Sequence, residues 1–496
     1  TDGDENNDES FAFSFQPSQS SSPSQIPSLN PTFQPSQSFA PSHTPSLRPT
    51  FQPSKSSAPS TSHHPSQTSN PSTSLVPSTH PSTSFAPSTY WSSLYWNQQG
   101  PAIIGEVKND WFGRSLSLSA DGMIMAIGAP YSDGINGDES GLVKVYRKEG
   151  ERSSWNQLGQ TIHGEAGDRT GSSVVLSEDG RTLAIGSPLN SDNGDASGQV
   201  RVYSLDDDEE SSWKQLGQTI NGEAAEDNLG RSEALSADGK TLAIGSPYNG
   251  DKGIWSGNVK IYGWDEAALD YKQLGQTING EAAHDNLGLS VALSSDGKTL
   301  AIGAPNNGDG GLYSGHVKIY VWDEAASNYE QLGKAINGEA ADDYFGGSLA
   351  LSSDGKTLAV GAPELPWGSS MRGHVKVYGW DEVSSLDYKQ IGQTIYGEVS
   401  YGLMGSSVAL SADGKTLAIG APGDFVYGRL KVYGLESDGL IWKQLGHTIE
   451  DKLASNIGKS AALSADGKTL ATGSPYFNNN NVGSSPGQVM VYNVEY

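Results

Sequence analysis

The sequence predicts an all-β protein, a seven-bladed β-propeller of four-stranded antiparallel blades, with a disordered or polyproline-II segment ahead of it. Three observations predict this class. A phrase close to Leu-Ser-Ala-Asp-Gly-Lys-Thr-Leu-Ala-Ile-Gly occurs seven times, centred on Asp121-Gly122, Asp179-Gly180, Asp238-Gly239, Asp296-Gly297, Asp354-Gly355, Asp413-Gly414 and Asp466-Gly467. The steps between copies are 58 or 59 residues, with one of 53, and a fixed period of this order marks a propeller or a solenoid. Inside each period apolar residues alternate with period two between Gly-rich turns, which excludes a helical repeat.

Residues 1–90 come first and differ in kind. Fifteen prolines lie between Pro17 and Pro87, four or six residues apart, each followed by Ser or Thr. Such a stretch is too polar to build a core, and its prolines lack backbone donors. As polyproline II it would make a spacer of about 3 Å per residue, on the order of 200 Å in all. The composition suits an O-glycosylated stalk as well as a plain linker. Phe15, Phe33, Phe39, Phe51 and Phe85 each stand two residues before a proline and are candidate contacts for self-association or for a partner. No Asn-x-Ser/Thr acceptor with x other than Pro occurs, so N-glycans are not expected.

The propeller is expected over 91–496. Residues 288–336 illustrate one blade. Gly288 to Ser294 alternates small and apolar residues as an inner strand does. Ser295-Asp296-Gly297-Lys298 makes the tight turn, with Gly at a positive φ. Thr299 to Pro305 is almost wholly apolar, a strand covered on both faces and ended by its proline. After a Gly/Asn/Asp-rich loop, Gly315 to Val321 alternates again, and Tyr329 to Ile336 is the fourth strand. The other blades are expected at about 113–162, 171–220, 230–278, 346–395, 405–449 and 458–496. The last of these lacks its fourth strand, while an unmatched fourth-strand phrase, Trp96 to Ile103, lies before the first blade. Residues 96–103 are therefore expected to complete the seventh blade and close the ring, which removes an open edge.

The formal charge is −26. Residues 1–90 hold five acids against two bases, and the repeat region 52 against 29. That balance disfavours nucleic acid and anionic membrane as partners. Cysteine is absent, so thiol and disulfide chemistry are too. No apolar stretch reaches 18 residues, the length of a spanning helix. A start at Thr1 without Met or leader reads as a processed secreted chain, extracellular or at the cell surface.

Trp111-Phe112-Gly113 followed by Gly128-Ala129-Pro130, and Tyr344-Phe345-Gly346 followed by Gly361-Ala362-Pro363, resemble the FG-GAP repeat, which builds the seven-bladed head of integrin α subunits and many secreted microbial proteins. The resemblance extends, in degraded form, over about 96–496, as in Asn228-Leu229-Gly230 with Gly245-Ser246-Pro247. It implies extracellular recognition or adhesion of a protein or polysaccharide. Trp264-Asp265, Trp322-Asp323 and Trp380-Asp381 also resemble the dipeptide of WD40 blades, but those blades are shorter. Integrin-like blades often hold calcium in the turn between strands one and two, on an Asp-x-Asp-x-Asp-Gly run. Here that turn is shortened to one Asp, too few oxygens for six or more coordination places, so those calcium sites are not carried over.

The loops from strand four to the next strand one, and from strand two to strand three, share one face of a propeller. The first set repeats Gly-Glu, at Glu106, Glu165, Glu223, Glu281, Glu339 and Glu398, followed by Asp110, Asp168, Asp227, Asp285 and Asp343. Gly402 and Ser455 stand in the Asp slot of the last two copies. Two readings fit: a ring of carboxylates at the channel mouth that holds a cation or a basic partner, or aspartates that cap their own loops beside solvated glutamates. In the second set, Asp133, Asn136, Asp138 and Glu139, and likewise Asp192, Asn193 and Asp195, offer oxygens to Ca²⁺ but match no established spacing and suit ordinary turns equally. Trp367, Phe425, Tyr427 and Tyr476 stand beside Asn, Gly or Pro as candidate ligand contacts, or as covers for the core.

No catalytic set is found. His163, His284, His316, His374 and His447 show no metal spacing, no Ser–His–Asp arrangement can be argued, and near-identical blades disfavour one asymmetric active site. The expectation is a non-enzymatic secreted adhesion protein that needs no firm cofactor. The alternatives are a structural component of an extracellular matrix, wall or filament, and a propeller glycan hydrolase.

Overall fold

The computed structural model describes residues 94–495 apart from 151–153, 207–210, 364–371, 385, 424–427, 452–455 and 480. The expected stalk over 1–90 lies outside the described residues. What is described is a seven-bladed β-propeller of antiparallel blades.

The Asp-Gly phrase folds locally into a fastened hairpin. In the first blade the Ser119 hydroxyl donates to Asp121 Oδ1 at 2.6 Å, and that oxygen also accepts the Met123 amide at 2.9 Å. The Ser119 hydroxyl in turn accepts the Ile124 amide, and Gly122, at φ 69°, donates its amide to the Ser119 carbonyl. The residue after this serine does more than make the turn. Ala120 donates its amide to the Glu178 carbonyl, Glu178 to Ala237, Ala237 to Ser295, Ser295 to Ser353, Ser353 to Ala412, Ala412 to Ala465, and Ala465 back to Ala120, at 2.8–3.1 Å. Seven peptide groups thus close a circle, with each inner strand lying beside those of its two neighbours.

The second strands carry the core. Thr299–Ala304 is buried from Leu300 onward, and the corresponding strands of the other blades are buried almost as fully. Seven apolar clusters result, one between each blade and the next, so the core is divided among interfaces rather than gathered at the centre. Two glycines explain the repeat phrase. A Cβ on Gly303 would lie 2.2 Å from the Gly346 carbonyl oxygen of the next blade, and Gly346 itself sits at φ 89°. The glycines of Gly-Ala-Pro and Phe-Gly therefore press together across each interface. The residue before the second glycine is buried whatever its type, as Phe112, Leu229, Leu287, Phe345, Met404 and Ile457 show.

The fourth strand differs from the expected single run. Over 328–337 it is two pieces, Asn328–Gln331 and Ile336–Asn337, both paired with His316–Asp323. Gly333 at φ 70° turns the chain between them, and the Gln331 amide clasps the turn by donating to the Gly333 carbonyl at 3.2 Å.

The ring closes as the unmatched phrase requires. Tyr95–Gln98 and Ile103–Ile104 pair with Gln488–Glu495, completing the seventh blade with the first strand of the propeller. Trp96 is 2 % exposed, and its indole N–H donates to the Leu445 carbonyl of the sixth blade at 3.1 Å.

Candidate functional site

The two loop sets of the candidate face are tied to each other. Asp168 is buried. Its Oδ2 accepts the Glu165 amide at 3.1 Å, three residues back, while Oδ1 accepts the Asn190 side-chain amide from the second loop at 3.1 Å. Asp227 with Ala224 and Asn249, and Asp285 with Ala282 and Asn307, repeat this geometry. Asp110 and Asp343 are buried as well and accept the amides of Val107 and Ala340. Burial pushes the Asp110 carboxyl up to about 6.

The glutamates are exposed, and each reaches a cation on the third strand of the blade that follows. Glu106 meets Lys144 at 2.5 Å, Glu223 Lys260 at 2.6 Å, Glu281 Lys318 at 2.5 Å, Glu339 Lys376 at 2.5 Å and Glu398 Lys431 at 2.6 Å; Glu165 lies 3.8 Å from Arg201. The lysines hold the carboxyls of Glu281, Glu339 and Glu398 below their ordinary value. These cations were missed in the sequence. Their signal is a basic residue at the third position of the third strand in six blades, with Met490 in the seventh.

The structure does not gather the calcium candidates. Asp133 accepts the Glu139 amide, Asn136 donates to the Gly164 carbonyl, Asn193 donates to Gly222, and the Glu139 carboxylate pairs with Arg169 at 2.9 Å. Asp192 donates its amide to the Asn190 side chain, while Asp138 and Asp195 accept the Gly167 and Glu226 amides at their own carbonyls. Among the described residues no group of three His, Cys, Asp or Glu is placed to hold a metal ion. Trp367, Phe425 and Tyr427 lie outside the described residues. Tyr476 is half-buried and packs edge-on against Trp111, with ring centroids 4.7 Å apart.

A notch opens where the repeat loses its aspartate. Gly402 takes the Asp slot and so brings no side chain of its own, and Gly423 of the second loop donates its amide to the Gly402 carbonyl. The pocket there, about 700 Å³ including its open mouth, is lined by Arg372, Glu398, Tyr401, Met404, Arg429 and Lys431. It combines the ion pair of Glu398 with Lys431, the Arg429 guanidinium paired with Glu450 at 3.4 Å, and Tyr401, which is 44 % exposed.

One carboxyl departs from the repeat in another way. Glu233 stands on an inner strand where the other copies have Leu116, Val174, Val291, Leu349, Val408 and Ala461. It accepts the Ser173 hydroxyl from the preceding blade, and its Oε1 is buried without a partner among the described residues. Burial raises its pKa from 4.5 to about 8. Between those two values folding takes up a proton, so stability falls as pH rises and the loss is complete above about 8. Glu233→Gln removes that loss. Thermal unfolding should show the variant more stable than the parent at pH 8, by on the order of 2 kcal/mol once partial contact with water is allowed for, and equal to it at pH 4.5.

Residues 106–146 match the FG-GAP repeat family model. No curated protein matches the chain. Among solved structures it is similar to a protein from Bacteroides uniformis named as a 6-phosphogluconolactonase: 16 % identical, covering 73 % of this chain and 93 % of that one, with a TM-score of 0.50. It is also similar to the periplasmic gluconolactonase of Pseudomonas aeruginosa, at 17 % identity, 73 % and 97 % coverage and a TM-score of 0.46. At these identities the likeness is one of fold. It nonetheless corrects the expectation of a non-enzymatic protein. A protein of similar fold is named as a 6-phosphogluconolactonase, so a propeller fold does not by itself exclude catalysis. Among the described residues no helix is long and apolar enough to cross a membrane.

Proposed function

We propose that the propeller is a recognition head of a secreted or cell-surface protein, and that it takes a protein or polysaccharide ligand on its loop face. The observation that carries this reading is the notch between the fifth and sixth blades. It is concave, it lies where the repeat pattern breaks, and it offers an exposed aromatic ring beside fixed charges, the usual make-up of a specific contact. The FG-GAP resemblance supports the extracellular setting. In this reading residues 1–90 act as the spacer that carries the head, and the paired glutamates Glu339 and Glu398 flank the ligand rather than bind a metal.

A panel of glycans and extracellular-matrix proteins offered to the full chain tests the proposal. Tyr401→Ala should weaken the retained ligand at least about tenfold, as loss of an aromatic contact residue does. Unchanged affinity would remove the notch from the reading. The same panel, read for product release, reports whether any bound ligand is also turned over.

A further inference from the structure

The loops from strand two to strand three are built to one plan in the first four blades, and two of them change its chemistry. In each, the carbonyl of one residue accepts an amide from the entry loop of the next blade: Asp138 from Gly167, Asp195 from Glu226, Ile254 from His284 and Leu312 from Asp342, at 2.7–3.0 Å. These four residues therefore hold the same place on the loop face. In the first two blades the place is acidic. In the third and fourth it is aliphatic, and Ile254 is 65 % and Leu312 67 % exposed. A single exposed aliphatic side chain needs no explanation; two in the same slot of neighbouring blades, each followed by an aromatic residue, make a patch. The aromatics are Trp255 and Tyr313, where the first two blades have Glu139 and Ala196. All four sit at φ between 46° and 56°, a conformation that bulky side chains seldom adopt, so the backbone does not select the rings.

Hydrogen bonds join the two units into one ridge. Asn286 of the intervening entry loop donates its amide to the Trp255 carbonyl at 3.0 Å. The Asn306 side-chain amide donates to Asn286 Oδ1, and Asn306 opens the loop that carries Leu312. Rings stiffen both ends: Trp255 meets His284 edge-on at 5.3 Å, and Tyr313 lies 5.7 Å from Tyr344. Each unit also presents a carboxylate. Asp251 and Asp309 are exposed, and each is fixed by donating its amide to the side chain of Asn249 or Asn307, at 3.1 and 2.9 Å. Lys260 and Lys318 of the same blades are engaged by Glu223 and Glu281. Within the ridge loops Asp251, Asp309 and Asp342 outnumber Lys252, in a molecule of formal charge −26. Aliphatic tips leave the hydroxyls of a sugar unpaired, and the acids repel an anionic membrane. Apolar side chains interspersed with cations suit both features.

We propose that this ridge docks a basic protein segment, whose apolar side chains cover Ile254 and Leu312 and whose lysines or arginines meet Asp251 and Asp309. The surface is separate from the notch between the fifth and sixth blades and does not depend on it. Selection of a random dodecapeptide library on the full chain tests it, each enriched peptide then being titrated by calorimetry. The enriched peptides are expected to combine apolar residues with Lys or Arg and to bind more weakly as salt rises. Ile254→Ser and Leu312→Ser should each lower the affinity about tenfold, as losing the burial of an aliphatic side chain does. Asp251→Asn together with Asp309→Asn should flatten the salt dependence. Leu269→Ser, at a site 66 % exposed between the third and fourth strands on the other face, and Tyr401→Ala should leave the affinity unchanged. All these positions are at the surface, and unchanged melting temperatures check that each variant is folded. Absence of any enriched peptide, enrichment of acidic ones, or affinity indifferent to both Ile254→Ser and Leu312→Ser would each overturn the ridge. Peptides lost with Tyr401→Ala instead would place binding at the notch, and a galactose trimer bound by the parent and lost with Ile254→Ser would make the surface a sugar site; either result also overturns the proposal.

Discussion

Trp96→Ala is expected to lower the melting temperature by about 4–6 °C. The indole is 2 % exposed, packs in the cluster between the sixth and seventh blades, and donates to the Leu445 carbonyl. Truncating a buried tryptophan costs about 3–5 kcal/mol. With an unfolding entropy of about 2 cal/mol/K per residue over roughly 400 residues, each kcal/mol is worth about 1 °C. The strand that carries Trp96 pairs with the last strand of the seventh blade, so the loss falls on ring closure. Tyr95→Ala, one residue away and 60 % exposed, should change the melting temperature by less than a degree. Deleting residues 91–104 should have a larger effect than Trp96→Ala; equal melting of the deletion and the parent would refute closure by this strand.

Gly303→Ala should cost at least about 3 kcal/mol, or should prevent soluble protein from accumulating. The added carbon would meet the Gly346 carbonyl oxygen at 2.2 Å and the Ser290 hydroxyl at 2.4 Å. The serine can turn away, but the carbonyl belongs to the next blade's backbone, and relieving the clash means moving one blade against another. Overpacking a tight core costs about 1–3 kcal/mol even where side chains can yield. Gly308→Ala is the control. Its nearest neighbour would be 3.9 Å away, and chemical denaturation should not distinguish it from the parent. A parent-like midpoint for Gly303→Ala would show that the blades are not in close contact there.

Blade number, strand order and ring closure were legible because each rests on a period or on local turn chemistry. The Asp-Gly turns read as hairpin fasteners and are so, and the phrase at Trp96 reads as a displaced fourth strand and is one. The break in that fourth strand was not legible. Gly333 stands inside the single strand expected from Tyr329 to Ile336, and only pairing with the third strand shows the turn. For the candidate face, the aspartates could be read as caps or as ligands, since both uses place an acid in a Gly-rich loop. What separates them is burial and the identity of the partner atom, as at Asp168 with the Glu165 amide and Asn190. The partners of the glutamates lie almost 40 residues further on, in the next blade, beyond any local pattern. Gly402 was visible as a gap in the repeat, but that a gap makes a pocket depends on two loops meeting in space.

The circle of peptide hydrogen bonds from Ala120 through Ala465 has a bearing on how such a chain can change. Near-duplicate segments are prone to gain or lose a copy. A stack of repeats with two ends can absorb that change by growing or shrinking at an end. A closed loop of seven links cannot, because an eighth or a sixth member would alter the angle between every neighbouring pair at once. Copy number is therefore locked by geometry, while the sequence inside each copy stays free to drift. Breaks in the repeat such as Gly402 in the Asp slot and Glu233 on an inner strand fall at positions that the circle does not use.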